Sequence, residues 1–166
     1  MRTLFGAVLI LCLVVLSNCK KSSDPVVHPN CTGLITDTAG TGDNARIYMP
    51  NAFSPNNDGL NDVCRPITSN IDSIGFTIYD ENDLVVFSSN LLGDGWHTTI
   101  TTSTIKKYYY KIQARTLAGK HIGLCGEVYG LTCFSINPPK AFFYFEDMLT
   151  PGGFTGTTSE TLAICP

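Results

Sequence analysis

From Ile74 onward, apolar and polar positions alternate along short runs, and the alternation predicts strands. Ile74, Phe76 and Ile78 alternate with Gly75, Thr77 and Tyr79, the period of two expected of a half-buried strand. Asp80-Glu81-Asn82-Asp83 is a polar turn, and Leu84 to Phe87 (LVVF) returns from it to complete a hairpin. Gly93-Asp94-Gly95 is a second turn, which delivers Trp96, the single tryptophan. Lys107 to Ala114 (KYYYKIQA) places Tyr108, Tyr110 and Ile112 on one face and Tyr109 and Lys111 on the other. After the turn Ala118-Gly119-Lys120, the run Gly126 to Phe134 (GEVYGLTCF) is the last regular strand. Short strands at intervals of ~8–12 residues, with turn chemistry between them, predict an all-β antiparallel sandwich. No helical period is sustained over three turns.

The two ends read differently. Arg2 followed by the apolar run Leu4 to Leu16 has the layout of a secretory signal, and the run falls short of the ~20 residues of a membrane span. It ends in Leu16-Ser17-Asn18-Cys19, followed by Lys20-Lys21-Ser22-Ser23. This resembles the lipobox of bacterial lipoproteins, which implies a signal peptide over 1–18 and a lipid on Cys19. Residues 19–44, with Pro25, Pro29, Gly33, Gly40 and Gly42, read as a flexible tether. Residues 45–134 hold the sandwich. In 135–166 the break Ile136-Asn137-Pro138-Pro139 precedes a dense aromatic run, Ala141 to Phe145. So apolar a run is a liability in water, and this extension is expected to pack on the sandwich.

Bulk numbers narrow the class. Only 15% of the 166 residues are charged, and the formal net charge is −3 with a pI near 5.5. The eleven Lys and Arg are scattered, so no electrostatic footprint for nucleic acid exists. Seven cysteines are present; with Cys12 in the signal and Cys19 lipidated, Cys31, Cys64, Cys125, Cys133 and Cys165 remain. Export permits disulfides, and an odd number leaves at least one thiol over. A strand between Cys125 and Cys133 would hold them ~25 Å apart, which excludes that pair. The preferred bridge joins Cys31 to Cys133 or Cys165, pinning a terminal segment to the domain.

One loop is unusually rich in oxygen. In Ser54-Pro55-Asn56-Asn57-Asp58-Gly59-Leu60-Asn61-Asp62, five of nine side chains are Asn or Asp. Ser54, Asn56, Asp58, the Leu60 carbonyl and Asp62 follow the front half of an EF-hand and form a candidate calcium site. Arg65 stands where the EF-hand has its bidentate Glu, so a complete EF-hand is excluded. The competing reading is that these groups cap turns and hydrogen-bond the backbone, and the two-carboxylate count favours it. Trp96 is a candidate for stacking on a sugar, against the commoner role of filling the core. His28, His97 and His121 have no Cys or acid at ligand spacing. With no Gly-x-Ser-x-Gly, His-Glu-x-x-His or Walker pattern, no catalytic residues are assigned and a non-catalytic protein is expected.

Several of these stretches occur together in one known family. Pro50-Asn51-Ala52-Phe53-Ser54-Pro55-Asn56-Asn57-Asp58-Gly59-Leu60-Asn61-Asp62 resembles the opening of the gliding-motility-associated C-terminal domain of Bacteroidetes. Phe76 to Asp80, Asp83 to Phe87, Gly95-Trp96, Tyr108-Tyr109-Tyr110 and Gly126-Glu127-Val128 follow in that family's order, over roughly Ile47 to Phe134. The resemblance implies an immunoglobulin-like sandwich tied to type IX secretion and surface attachment. The expected protein is an outer-membrane lipoprotein, held to the membrane by its lipid and partnered by other envelope or secretion proteins. Its expected role is structural, adhesive or protein-interacting at the cell surface. The alternatives are a sorting module read by the type IX machinery and a calcium-dependent glycan-binding module.

Overall fold

A computed structural model describes residues 31–38, 43–102, 104–134 and 143–166. The signal-like residues 1–18 and Cys19 lie outside the described residues, as does the Pro138-Pro139 break. The strands in chain order are β1 (Arg46–Tyr48), β2 (Ala52–Phe53), β3 (Val63–Cys64), β4 (Ile67–Ser69), β5 (Ile71–Tyr79), β6 (Val85–Ser89), β7 (Trp96–His97), β8 (Ile105–Thr116) and β9 (His121–Leu131). A 3-10 turn, Glu146–Met148, then precedes β10 (Leu149–Thr150) and β11 (Gly153–Phe154). The fold is all-β. Its main sheet has five strands in the order β2-β9-β8-β5-β6, and β1-β4, β3-β7 and β10-β11 form two-stranded ribbons.

The alternation of β5 and β8 explains the core. Ile74, Phe76 and Ile78 of β5 pair with Ala114, Ile112 and Tyr110 of β8, and Ile112 and Tyr108 pair with Leu124 and Val128 of β9. These side chains share one face of the sheet. Against them pack Ile47, Cys64 and Trp96, contributed by the two ribbons β1-β4 and β3-β7. The core thus lies between two β layers. Gly95 is required where β3 crosses: a Cβ there would meet Val63 Cγ1 at 2.5 Å and Arg65 Cβ at 2.6 Å.

Two differences from the sequence reading have physical causes. β9 begins at His121, five residues before the expected Gly126, and ends at Leu131. Gly123 and Gly126 weaken strand propensity, but each makes room for a neighbour. A Cβ at Gly126 would press on the Tyr110 ring at 2.9–3.1 Å, and one at Gly123 would meet Leu34 Cβ at 2.8 Å. Secondly, the apolar entry run is split. β1 pairs antiparallel with β4, whereas β2 crosses over and pairs parallel with β9, against the all-antiparallel expectation.

Leu34 introduces a larger correction. Residues 31–38 were expected to belong to the flexible tether, yet they form a strap on the outer face of the main sheet. The Ile35 N–H donates to Gln113 Oε1 (2.9 Å), and Gln113 Nε2 donates to the Ile35 carbonyl (2.9 Å). The Gly123 N–H donates to the Thr36 hydroxyl (2.9 Å), Lys111 Nζ to the Thr32 carbonyl (2.8 Å) and the His121 N–H to Asp37 (2.8 Å). A disulfide from Cys31 to Cys125 secures the strap. The preferred partners Cys133 and Cys165 instead bond to each other. Strand β9 points Cys125 outward beneath the strap, a matter of side-chain parity and docking that cysteine spacing does not carry.

The C-terminal extension covers the other end of the same outer face. Phe145 and Met148 pack with Ala52 and Leu131 in a second buried cluster, which Ile105, Tyr129, Phe134, Phe143, Tyr144 and Leu162 surround. The Tyr144 carbonyl accepts the N–H groups of Asn51 and Ala52 (both 3.2 Å). The edge of β2 is thereby covered.

Candidate functional site

The oxygen-rich loop lies between β2 and β3 and is built around left-handed backbone. Asn57 (φ 64°), Gly59 (φ 90°) and Asn61 (φ 53°) all occupy that region, which Gly and Asn tolerate best. The side chains then satisfy the N–H groups that this tight path leaves without ladder partners. Asn56 Oδ1 accepts from Asp58 N–H (3.0 Å), and Asp58 Oδ1 from Leu60 N–H (2.8 Å). Asp62 accepts from Asn57 N–H at one oxygen (2.6 Å) and Gly59 N–H at the other (2.8 Å). The remaining Asp58 oxygen takes the Asn56 amide (2.9 Å).

All five candidate calcium positions are therefore engaged within the loop: Asn56, Asp58 and Asp62 as turn caps, and the Ser54 hydroxyl as donor to the Leu60 carbonyl (3.3 Å). Among the described residues, no three His, Cys, Asp or Glu side chains are grouped so as to hold a metal.

What the sequence reading missed is the lid on this loop. The extension returns over it and brings three acids. Glu146 pairs with Arg65 (2.6 Å). The Asp147 N–H donates to Asn61 Oδ1 (3.1 Å). Glu160 reaches under, accepting from the Ser54 hydroxyl and from Asn61 Nδ2 (3.2 Å). A cleft of about 480 Å³ runs between loop and extension, with Gly59, Asp62 and His97 on one wall and Glu146 and Asp147 on the other. The signal for this arrangement was slight: polar residues after an aromatic run, over 80 positions from their partners in the chain.

The other candidates take ordinary places. Trp96 is 7% exposed, with its ring 4.7 Å from that of Tyr108 and 5.5 Å from that of Phe53. It fills the core and offers no face to a sugar. Tyr109 lies on the outer face, beside Lys107, which pairs with Glu127 (3.2 Å); that hydrogen bond holds the Lys107 ammonium above its usual value. His121 Nδ1 lies 3.0 Å from Asp37, while His28 is outside the described residues. Cys64 is the thiol without a bridge among the described cysteines, and it is fully enclosed. Burial pushes its ionisation far up, the opposite of what a nucleophilic cysteine needs. No helix among the described residues is long and apolar enough to cross a membrane.

Comparison with known proteins adds one finding. Residues 47–123 match the family model described as CHU_C Type IX secretion signal domain. The match takes in the oxygen-rich loop, the β5–β6 hairpin, Trp96 and the tyrosine strand. It leaves out the strap and the extension with Asp147 and Glu160. No curated protein and no solved structure matches the chain.

Proposed function

Because residues 47–123 match the family model described as CHU_C Type IX secretion signal domain, we propose that this protein is a non-catalytic cell-envelope lipoprotein. Its β-domain, which we read as immunoglobulin-like, serves as a structural, adhesive or protein-interaction module linked to type IX secretion or gliding. The family match supports the link to type IX secretion. The lipid anchor rests on the signal-like run Leu4 to Leu16 and the lipobox-like Leu16-Ser17-Asn18-Cys19. The interaction role draws on the exposed edge of the main sheet. Strand β6 ends the sheet, and Leu84, Val85, Leu91 and Leu92 on and beside it are 46–70% exposed. An apolar open edge is a surface that a second chain covers readily.

A second reading follows the family's own description: the domain is the sorting element that the type IX machinery recognises. The two readings differ in the fate of the extension. A retained module keeps it, and its burial of Phe145, Met148 and Leu149 speaks for retention. Intact mass of the protein extracted from membranes of its native host decides. A mass equal to residues 19–166 plus acyl chains is expected. A species without lipid, or cut near Phe134, overturns the lipoprotein reading in favour of sorting.

A further inference from the structure

The Asp147 backbone N–H and the Glu160 carboxylate meet the two ends of one side-chain amide, that of Asn61. Asn61 accepts the Asp147 N–H at Oδ1 and donates from Nδ2 to Glu160 Oε2. Glu160 is only 7% exposed, and Asn61 8%. Asp147 Oδ2 accepts from the Thr158 hydroxyl (3.0 Å) and the Ser159 N–H (2.7 Å). One oxygen of each acid is left over. Asp147 Oδ1 and Glu160 Oε1 are both buried and have no hydrogen-bond partner. Neither acid is in an ion pair among the described residues.

A buried carboxylate oxygen with nothing opposite it is costly, and it normally faces a cation, a proton or a water. Asp147 is bonded through its other oxygen to Thr158 and Ser159, next to Glu160 in the chain, and two unpartnered carboxylate oxygens in one such region carry charge that a divalent ion neutralises. The neutral oxygens nearest the two acids are the Asn61 amide oxygen, on the Asp147 N–H, and the Ser54 hydroxyl, on Glu160. No imidazole or thiolate is hydrogen-bonded to either acid among the described residues, so the set is hard, suited to calcium and not to zinc or copper. We propose that Asp147 Oδ1 and Glu160 Oε1 bind a calcium-class divalent cation beside Asn61, clamping the C-terminal extension to the oxygen-rich loop.

The site differs from the one suggested by the loop sequence. Asp58 and Asp62 spend their oxygens on the loop itself, so the ion sits on the side facing the extension. Two carboxylates and neutral oxygens put the dissociation constant near the weak, extracellular range of ~0.1–1 mM. The proposal stands apart from the question of sorting or retention.

The test is equilibrium dialysis of the full chain, disulfides intact and in detergent, against calcium chloride alone, with thermal melting in parallel. One calcium per chain is expected, with a saturable rise in melting temperature that a chelator reverses. Glu160→Gln is expected to abolish both, whereas Asp58→Asn retains them. Should Glu160→Gln fail to fold, Asp147→Asn decides, since its amide oxygen still accepts from Thr158 and Ser159. Absence of saturable binding overturns the proposal. So does binding that survives Glu160→Gln and Asp147→Asn, or that Asp58→Asn removes.

Discussion

Asn61 and Glu160 stand 99 residues apart in the chain and meet in a buried hydrogen bond of 3.2 Å from amide to carboxylate. Through this contact the extension after the sheet becomes part of the loop that opens the β-domain. Replacing Glu160 by Ala leaves the buried Asn61 amide without its acceptor and removes one of the two acceptors near the Ser54 hydroxyl. The expected loss is ~1–3 kcal/mol of unfolding free energy, read from urea melts in a chelating buffer. An unchanged urea midpoint would mean that water replaces the carboxylate at no cost.

Trp96 separates a packing role from a binding one. Its ring closes the core against Phe53 and Tyr108, so Trp96→Ala is expected to cost ~3–5 kcal/mol. Glycan-array binding of wild type, lost in a variant of unchanged stability, would contradict the placement of this ring.

The cysteines give a chemical test of the fold. Peptide mapping without reduction is expected to recover Cys31 linked to Cys125 and Cys133 linked to Cys165. Closing loops of 94 and 32 residues constrains the unfolded chain by ~4.7 and ~3.7 kcal/mol on the chain-entropy model. Removing the first bridge is therefore expected to destabilise more than removing the second. Cys64 should resist iodoacetamide in the native protein and react fully in guanidinium. Rapid native alkylation would falsify its enclosure.

Stability should fall at both ends of the pH range. The N–H of His121 holds Asp37 below the ordinary carboxylate value, that of Leu84 does the same for Asp80, and the Ser89 hydroxyl for Asp94. For these lowered groups the contribution is present above ~3.9 and disappears as pH drops through their folded values. Burial raises Cys64, and it pushes Tyr110 up to about 12. Above ~8.5 for the thiol and ~10 for the phenol, the unfolded chain binds fewer protons than the native one, so stability declines with rising pH. Urea midpoints measured from pH 3 to 11 should form a plateau with both flanks descending. A flat alkaline flank would show that neither group stays protonated in the fold.

Much of the sheet was legible because its signal is local. Ile74, Phe76 and Ile78 face one way whatever they pack on, since side chains in a strand alternate. The turn at Asp80 to Asp83 declares itself through its residues, and Asp80 duly accepts the N–H groups of Asn82 and Leu84. Asn56, Asp58 and Asp62 of the oxygen-rich loop likewise serve the backbone within a few positions. The strap was not legible. Residues 31–38 have the composition of a linker, and only the vacancy above Gly123 and the outward face of Cys125 give them somewhere to dock.

By itself, then, the sequence determined the all-β class, the hairpin, the turn chemistry and the oxygen-rich loop, all set by dihedral preference and by neighbours a few residues away. The tertiary structure alone decided which cysteines bond, that β2 runs parallel to β9, that Trp96 faces inward and that Glu160 completes the loop. Each of these joins segments tens of residues apart. Such contacts depend on which faces are left open once the sheet has formed, and no local pattern of residues records that.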